Sequence, residues 1–405
     1  MSRDYLLLIL SSVLVAGVVI WQLTDEINYE ENVNTLPYAA FNKVSDNLKG
    51  VQLFNEQKAF RGYSLYNPRN RTRAYLIDMQ GQLLHQWQTP ETIYGWHDIS
   101  LLPDGSLLTL IKDKEVRLLD INSKTRWALK TRAHHEVHYD ADSKRIYFLS
   151  REDRNVPFQK SQAPILDDRL AIVDTRGRVQ KSISIYDMVK TWVPERYLKY
   201  SVDHFKKPEV IEQLKQRETG NKYEASTEAD VMHTNSAYPL PEDIAGCCGV
   251  GDVILSVRNV NSVFIVNVAR QKVVWNWGQG ELSRQHHATY IGDGKILIFD
   301  NGVKKQKSRI VIVDISTRRI VWEYESSDFF SQLGGGCQYL PNGNVLIAES
   351  AEGRAFEVTP RGETVWNFYN PEFTDATNER AFLYRIYRIF DARYAPLVKR
   401  LRKSK

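Results

Sequence analysis

Apolar and polar residues alternate in short segments, separated by tight turns, along most of the chain. Three segments, 97–129, 286–324 and 337–368, share one order: a strand, an Asp-Gly or Asn-Gly turn, two further strands, a turn, and a strand ending near a tryptophan. The turn dipeptides supply the positive φ values that tight hairpins need, and alternation with a period of two is typical of β-strands. Weaker copies fill the stretches between these segments. The pattern predicts repeated units of four antiparallel strands.

The strand-ending tryptophans set the length of the repeat. Neighbouring ones lie 40 to 47 residues apart, except for one long gap: Trp87, Trp127, Trp275, Trp322 and Trp366. That period is typical of a β-propeller, because a four-stranded sheet buries both faces only against neighbouring copies. We therefore predict an all-β, six-bladed β-propeller over residues 60–370, with the tryptophans packed between blades.

A charged, aromatic and helix-compatible stretch at about 186–230 interrupts the repeats. We expect a helical insertion there, which is either a lid over one end of the propeller or a plain surface excursion.

The amino-terminal region differs from the repeats. Residues 5–23 carry no charge, and a helix of that length spans roughly 28 Å, close to the hydrocarbon thickness of a bilayer. Arg3 precedes this run and acidic residues follow it, which favours a cytoplasmic N-terminus and an exported body. We predict a transmembrane signal anchor at 1–24 and a linker at 25–59. A cleaved signal peptide is the alternative.

Charge and composition narrow the class of partner. The chain of 405 residues is 42% hydrophobic and 25% charged, as in globular proteins, and its net charge of only +5 gives no reason to expect a nucleic-acid partner. The basic excess is local, with nine Lys and Arg against one acid in residues 380–405. We predict that residues 371–405 form a basic C-terminal helix or tail, either on the outer wall of the propeller or along an anionic membrane surface.

Three cysteines give no disulfide framework. In an oxidising compartment Cys337 would pair with Cys247 or Cys248; the alternative is three unpaired thiols.

Histidines recur at one register of the repeat. His97 and His286 each lie eight residues before the glycine of a hairpin turn, and His135 and His233 hold corresponding positions in their own units. Because the innermost strands of a propeller surround its axis, equivalent positions near strand starts converge on one mouth. The register predicts a ring of four histidines, where ordinary polar strand residues are the alternative.

Residues beside the ring receive other interpretations. Alternation along a strand points His134, His138 and His287 elsewhere, so we expect structural roles for them. Arg258, at the end of an apolar strand, is either an anion-binding group or part of an outward salt bridge. We expect residues 300–302 to form a turn, although they could also orient a histidine.

A ring of imidazoles suits three functions. It can hold a metal ion with an open coordination position. It can also belong to a non-catalytic propeller that binds partners through its rim. It can also perform covalent group transfer, in which one imidazole is the nucleophile and others move protons. No carboxylate recurs with the ring, which disfavours the metal.

Two motifs resemble those of the bacterial PAPS-independent arylsulfotransferases. They are H-x-N-S at 233–236, with Arg258 at the end of the next strand, and Q-H-x-A at 285–288, with F-D-N-G at 299–302. The likeness covers about residues 60–370. It implies a six-bladed propeller that moves a sulfuryl group from an aryl sulfate to a phenolic or other hydroxyl acceptor through a sulfohistidine.

The resemblance also implies roles for single residues. His286 matches the transient nucleophile, His233 and Asn235 match residues that contact the sulfate, and Arg258 matches an arginine of the same site. One more family histidine corresponds to His97 or His135, so all four histidines are candidate catalytic residues.

The resemblance implies no metal and no cofactor, because the sulfate ester is itself the activated donor. The partners it implies are a small aryl sulfate and a hydroxyl acceptor. Together with the predicted anchor, it implies a single-pass protein of the bacterial inner membrane with its catalytic body in the periplasm. Because the predicted linker at 25–59 is short, we expect no counterpart of the family's amino-terminal sandwich domain, and we expect donors and acceptors other than simple phenols.

Overall fold

Six antiparallel sheets follow one another around a common axis in the computed structural model of the protein. The residues that the structure describes are 41–44, 46–69, 71–90, 94–208, 210, 230–373 and 379–403. Within them, the predicted six-bladed all-β propeller is confirmed, and the helices are few and short.

The strands are numbered in chain order and grouped by blade. Blade 1 consists of β3 (Tyr63–Pro68), β4 (Arg73–Ile77), β5 (Leu83–Gln88) and β27 (Leu383–Ile389). Blade 2 consists of β6 (Asp98–Leu101), β7 (Leu107–Ile111), β8 (Glu115–Leu119) and β9 (Thr125–Lys130). Blade 3 consists of β10 (Ala133–Asp140), β11 (Arg145–Phe158), β12 (Ser161–Asp174) and β13 (Val179–Ser184).

The remaining blades follow the same order. Blade 4 consists of β14 (Thr234–Pro239), β15 (Val253–Val257), β16 (Ser262–Asn267) and β17 (Lys272–Trp277). Blade 5 consists of β18 (Ala288–Tyr290), β19 (Lys295–Asp300), β20 (Arg309–Asp314) and β21 (Arg319–Glu325). Blade 6 consists of β22 (Gly336–Tyr339), β23 (Val345–Glu349), β24 (Arg354–Val358), β25 (Thr364–Tyr369) and β2 (Gly50–Phe54). A separate ribbon pairs β1 (Phe41–Lys43) with β26 (Glu379–Ala381).

Helices occur only between or after blades in the described part of the chain. The α-helices are α1 (Ile185–Val189), α2 (Glu195–His204) and α3 (Ala395–Lys403). Short 3₁₀ helices cover Lys190–Trp192, Arg258–Val260, Val303–Lys305 and Ala392–Tyr394.

Closure of the ring corrects the predicted boundaries. β27 pairs with β3 and is the innermost strand of blade 1, so the end of the chain completes the first blade. β2 adds a fifth, outermost strand to blade 6. The propeller therefore extends beyond the predicted range of 60–370, and the predicted linker at 25–59 contains strands.

The predicted C-terminal helix or tail at 371–405 is wrong over its first part. Its described residues from 379 to 389 form strands, and the α-helix is confined to Ala395–Lys403. The basic residues of this stretch led to the wrong prediction of a helix or tail, because arginine is rarely buried unless it is paired. Arg385 and Arg388 are both buried in β27, and each lies beside a buried glutamate.

The tryptophans join neighbouring blades, as predicted. Each indole N–H donates to a backbone carbonyl of the following blade at 2.9–3.1 Å: Trp87 to Gly105, Trp127 to Thr175, Trp275 to Ile315, Trp322 to Pro360, and Trp366 to Met79. Blade 3 has no tryptophan in its last strand, which accounts for the long gap in the series.

The predicted insertion lies between blades 3 and 4 and contains α1 and α2. Leu198 of α2 packs into the core between these blades, and the Tyr197 hydroxyl donates to the Asn259 carbonyl at 3.0 Å. Asn259 follows β15, at the end of the propeller where β14 starts. The β11–β12 hairpin also continues past the inner strand of blade 3 over residues 151–168. Helix and hairpin therefore stand beside the same mouth.

No helix within the described ranges is long and apolar enough to cross a membrane. The predicted anchor at 1–24 lies outside those ranges and stays a prediction. All three cysteines are free. Cys337 is buried in β22, whereas Cys247 and Cys248 lie in the β14–β15 loop with their sulfurs 2.8 Å apart. Of the two alternatives, the structure therefore has the three unpaired thiols and not the Cys337 disulfide.

Candidate functional site

Imidazoles from successive blades meet at one end of the propeller axis. The rings of His97 and His135 are 5.4 Å apart between centroids, and those of His135 and His233 are 4.7 Å apart. His286 is close enough to His233 for a positive charge on that residue to lower its pKa. The structure thus brings together the four predicted histidines, and we call His97, His135, His233 and His286 the histidine cluster.

The backbone is strained at two members of the cluster. His135 has φ 57° and His233 has φ 51°, a left-handed conformation that costs a non-glycine residue about 1–3 kcal/mol. The pairing of each inner strand with its neighbour is also irregular at this point. Such bulges redirect side chains, and here they direct the imidazoles toward the axis.

The partners of His286 set its tautomer. Its Nδ1 lies 2.7 Å from Oδ1 of Asn301 and 3.2 Å from the Arg284 carbonyl, and both of these atoms are acceptors. Nδ1 therefore carries the hydrogen, and Nε2 keeps a lone pair that accepts from the Gly334 N–H at 3.2 Å. Burial and the charge of Arg258 hold the pKa of His286 well below its usual value. His286 is a neutral imidazole whose Nε2 is available as a nucleophile or base.

Asn301 owes its orientation to blade 6. Its amide nitrogen donates to the carbonyls of Ser331 and Gly334 at 2.7 and 2.8 Å, which leaves Oδ1 facing His286. We predicted a turn at 300–302; this stretch also orients the histidine, which was the less favoured interpretation.

His134 belongs with the cluster, contrary to the prediction that it points elsewhere. Its Nδ1 lies 2.7 Å from Nδ1 of His135. Its Nε2 hydrogen-bonds the Ser150 carbonyl at 3.3 Å and lies 3.2 Å from Oδ1 of Asp168. Strand alternation fails as a guide here because the bulge follows immediately and His135 is left-handed.

His233 is held by a carboxylate. Its Nδ1 lies 2.7 Å from Oδ2 of Asp230, and its backbone N–H donates to Oδ1 of the same residue at 2.7 Å. Burial acts to raise the pKa of Asp230, but His233 and Arg151 outweigh it and hold that pKa well below its usual value. Nδ1 therefore carries the hydrogen, and Nε2 of His233 has a lone pair.

His97 is the least constrained member of the cluster. Its ring lies 4.6 Å from that of Tyr384, and Nε2 has no hydrogen-bond partner among the described residues. Burial, together with the charges of Arg69 and Lys112, holds its pKa well below the usual value.

The two sequence motifs interlock across blades 4 and 5. The amide nitrogen of Asn235 donates to the Gln285 carbonyl at 2.9 Å. The Ser236 hydroxyl accepts from the Ala288 N–H at 3.2 Å and lies 3.4 Å from the His286 carbonyl. These contacts fix the backbone that carries His286. Asn235 therefore positions the candidate nucleophile, and its predicted contact with sulfate stays a prediction.

Arginines flank the cluster on two sides. Arg258 is buried, its backbone N–H donates to the His233 carbonyl at 3.3 Å, and its guanidinium donates to Oδ1 of Asn259 at 3.0 Å. It is therefore not the outward salt bridge that was one interpretation. Arg69 adds charge on the His97 side, whereas burial holds the pKa of Lys112 well below its usual value. The two arginines favour an anionic ligand beside the cluster.

An ion pair lies next to the cluster on the axis. Arg385 of β27 donates to Oε1 of Glu136 at 2.6 Å and to the Asn235 carbonyl at 3.0 Å. Burial acts to raise the pKa of Glu136, but Arg385 outweighs it and lowers that pKa to about 2. Glu136 is therefore ionised, and the pair anchors the last strand of the chain to blade 3.

A cavity of about 540 Å³ lies toward the opposite mouth. Its inner wall includes Glu136 and His287, and its lip carries aromatic residues such as Tyr139, Tyr290 and Tyr339 at the far ends of the inner strands. His138 faces this cavity and packs against Tyr238 at 5.0 Å. His138 and His287 thus point away from the cluster, as strand alternation predicts.

Sequence reasoning missed several charged groups of the site: Lys112, Glu136, Asp168, Asp230 and Arg385. Asp230 and Glu136 carried a local signal, since Asp230 lies three residues before His233 and Glu136 directly follows His135. The others reach the axis from different blades, so their proximity follows from closure of the ring. Within the described ranges, no group of three or more His, Cys, Asp or Glu residues could hold a metal ion.

The protein is a six-bladed propeller that carries buried, neutral imidazoles and an arginine at one end of its axis. The sequence model of the arylsulfotransferase (ASST) family matches residues 78–371, and the chain belongs to that family. No curated protein sequence matches significantly.

Solved structures match the chain only at low sequence identity, and the first of them shares its fold. A protein of unknown function from Bacteroides caccae is 10% identical with a TM-score of 0.53, and the match covers 82% of this chain and all of that one. Virginiamycin B lyase from Staphylococcus aureus is 11% identical with a TM-score of 0.40, over 70% of this chain and 73% of its own. Hydrazine synthase from Kuenenia stuttgartiensis is 12% identical with a TM-score of 0.41, over 68% and 66%.

Proposed function

We propose that the protein transfers a sulfuryl group from an aryl sulfate to a phenolic or other hydroxyl acceptor, with His286 as the transient carrier. The observation that carries this proposal is the tautomer of His286, whose Nδ1–H is bonded to Asn301 while Nε2 keeps its lone pair. Membership of the arylsulfotransferase family supports the same reaction class.

The first half-reaction forms a sulfohistidine. Nε2 of His286 attacks the sulfur in line, the N–S bond forms, and the bond from sulfur to the aryl oxygen breaks. The Gly334 N–H at 3.2 Å is a long hydrogen bond that must be released for this attack. The charge of Arg258 stabilises the sulfuryl oxygens and also keeps His286 neutral before the attack.

A second imidazole moves the proton. It gives a proton to the departing phenolate and later takes one from the acceptor hydroxyl, whose oxygen attacks the sulfur as the N–S bond breaks. The described cluster supports His135 and His233 for this task, because the Nδ1 of each is tied to a partner. No cofactor enters either half-reaction.

Intact-protein mass spectrometry tests the proposal. Full-length protein is mixed briefly with p-nitrophenyl sulfate, phenyl sulfate or 4-methylumbelliferyl sulfate and quenched. We expect an added mass of about 80 Da on the wild type and on His138→Ala, a matched control on an inner strand, but none on His286→Ala. An adduct that persists in His286→Ala, or no adduct with any donor, would contradict the proposal.

The cellular location is a further part of the proposal. The charge-free run at 5–23 and the acidic residues after it support a single-pass protein with its propeller in the periplasm. Fractionation with and without alkaline extraction tests this, because an integral protein stays in the membrane pellet.

A further inference from the structure

We propose that Asp168, His134 and His135 form a proton relay, in which His135 is the acid–base imidazole and His134 carries its proton to the neighbourhood of Asp168. This inference rests on the proposed sulfuryl transfer and assigns the proton step to particular residues.

The first step is the protonation pattern of His134. Its Nε2 faces the Ser150 carbonyl at 3.3 Å and Oδ1 of Asp168 at 3.2 Å. A carbonyl oxygen only accepts, so Nε2 must carry a hydrogen. In the neutral ring, Nδ1 of His134 is then an acceptor.

The second step follows from the short contact between the two rings. Nδ1 of His134 and Nδ1 of His135 are 2.7 Å apart, so one of them must donate to the other. Since His134 accepts, His135 carries its hydrogen on Nδ1 and has a lone pair on Nε2. The ring of His135 lies against His97 and His233, inside the cluster.

The third step concerns the charge that proton transfer creates. His135 is buried, and a proton on it meets His97, His134, His233 and Lys112, all of which disfavour a positive charge there. An imidazolium at His135 would be costly. Moving its Nδ1 proton across 2.7 Å to Nδ1 of His134 places the charge 3.2 Å from the Asp168 carboxylate instead.

The proton balance needs one proton from solvent, which the relay takes up before the first half-reaction. In the second half-reaction the acceptor hydroxyl gives its proton to Nε2 of His135, while the Nδ1 proton of His135 moves to His134. This transfer restores a protonated relay, in which His135 carries its hydrogen on Nε2 and His134 carries hydrogens on both nitrogens. The first half-reaction starts from that protonated state: Nε2 of His135 protonates the departing phenolate, which leaves as a phenol, while the Nδ1 proton of His134 moves to Nδ1 of His135.

The surroundings hold the relay in place. Asp168 is fully buried, and its Oδ2 accepts from the Thr234 N–H at 2.6 Å, next to His233. Asp113 and Asp230 also interact electrostatically with His134, so carboxylates surround the residue that receives the charge. His97 lacks such a chain, and its Nε2 has no partner among the described residues. Of the two candidates for the additional family histidine, the geometry favours His135.

The first test is the dependence on the leaving group. An acid matters more for phenyl sulfate than for p-nitrophenyl sulfate, whose phenol is more acidic. In His134→Asn the amide can still accept from Nδ1 of His135, so orientation is kept while proton transfer is lost. We expect single-turnover release of phenol from phenyl sulfate to fall roughly 100-fold or more, and release of p-nitrophenol to fall less than about 10-fold.

Controls separate the relay from folding and from the proposed function. His138→Asn, on the same strand but facing the far cavity, should retain both rates. Because His134 and His135 act as one unit, the double variant His134→Asn with His135→Asn should be no slower than His135→Asn alone. Equal losses with both donors, or multiplying losses in the double variant, would overturn the relay while leaving the His286 adduct intact.

A second measurement does not depend on turnover. Nitrogen-15 NMR of histidine-labelled protein distinguishes the two neutral tautomers. At a pH where both rings are neutral, we expect Nδ1–H at His135 and Nε2–H at His134, with the signals assigned by His134→Asn and His135→Asn. The opposite tautomer at either residue overturns the relay, whether or not any aryl sulfate reacts.

Discussion

Asn301 accepts a hydrogen bond at 2.7 Å from Nδ1 of His286, fifteen residues earlier in the chain. The two residues lie on either side of the inner hairpin of blade 5, and Asn301 is fixed in turn by two carbonyls before blade 6. The candidate nucleophile is therefore oriented by the junction between two blades, and not by its own strand alone.

Asn301→Ala should slow sulfuryl transfer strongly, because His286 loses the acceptor that selects its Nδ1–H tautomer. A wrong tautomer in an analogous catalytic histidine costs roughly 10,000-fold, and we expect at least about 100-fold here. Single-turnover release of p-nitrophenol measures the effect. Asn344→Ala, a buried asparagine bonded to Glu357 in blade 6, is the matched control and should retain the rate. Similar losses in both variants would indicate a folding defect.

Asn301→Asp should change the pH dependence in a defined direction. A carboxylate still accepts from Nδ1–H but favours the charged imidazolium, so the pKa of His286 rises from its depressed value. The nucleophile must be neutral, and the acidic limb of the rate profile therefore moves to higher pH. An unmoved limb would mean that another group controls it.

Arg258→Ala removes two effects at once. Loss of a cationic donor to the sulfuryl oxygens should lower the rate of adduct formation by about 100- to 1,000-fold. The pKa of His286 should also rise, because burial and Arg258 together depress it, and less neutral imidazole remains at low pH. Arg258→Lys keeps the charge, so its pH profile should match the wild type even where its rate is reduced. A wild-type rate in Arg258→Ala would exclude the arginine from the site.

The repeat could be predicted from the sequence because each blade carries its own turn, strands and tryptophan. The register of His97, His135, His233 and His286 followed from the same local pattern. Closure of the ring could not be predicted, because the decisive interaction joins Arg385 to Glu136 over 249 residues. From the sequence alone, a strand with buried arginines looks the same as a basic surface segment, because the acidic residues that pair with the arginines are not known.

The proton chemistry of the site was only partly predictable. Strand alternation correctly predicted that His138 and His287 point away from the cluster, but it failed for His134. A bulge and the left-handed conformation of His135 reverse the alternation there. Asp168 lies in β12 of blade 3, 3.2 Å from His134, and this strand has no sequence motif that would predict a role in the site. Local sequence therefore indicates which imidazoles meet, while the three-dimensional contacts assign their hydrogens.

Glu136→Gln should destabilise the fold in a pH-dependent way. The folded pKa of Glu136 is depressed to about 2 from an ordinary value of 4.5. Its ionisation therefore stabilises the fold above about pH 4.5, and that contribution is lost as the pH falls toward 2. Denaturant unfolding near neutral pH should show a loss of about 3 kcal/mol, because buried Arg385 loses its closest ionic partner and keeps only Asp98 at 3.8 Å.

Two outcomes check this account of the Glu136–Arg385 pair. The stability difference between wild type and Glu136→Gln should shrink steadily from about pH 4.5 downward. Combining Glu136→Gln with Arg385→Met should recover part of the loss, since no buried guanidinium then remains. Asp98, 3.8 Å from Arg385, can take up a proton because burial raises its pKa to about 7. A difference that is constant with pH would show that the charge of Glu136 does not stabilise the fold.

Gly335→Ala should disturb the junction between blades 5 and 6. In the repeat, Gly335 holds the position that a histidine of the cluster holds in each of blades 2 to 5. Gly335 has φ 118°, and an added Cβ would lie 2.5 Å from the ring of Phe299, a buried core residue. Because the ring and its backbone must shift, we expect a loss of about 1–3 kcal/mol in the free energy of unfolding. Gly280→Ala is the matched control, since its φ is also positive at 87° but a Cβ there meets nothing within 4 Å. Equal losses in the two variants would attribute the effect to backbone strain alone. A larger loss in Gly335→Ala would show that close approach to Phe299 requires glycine at this position.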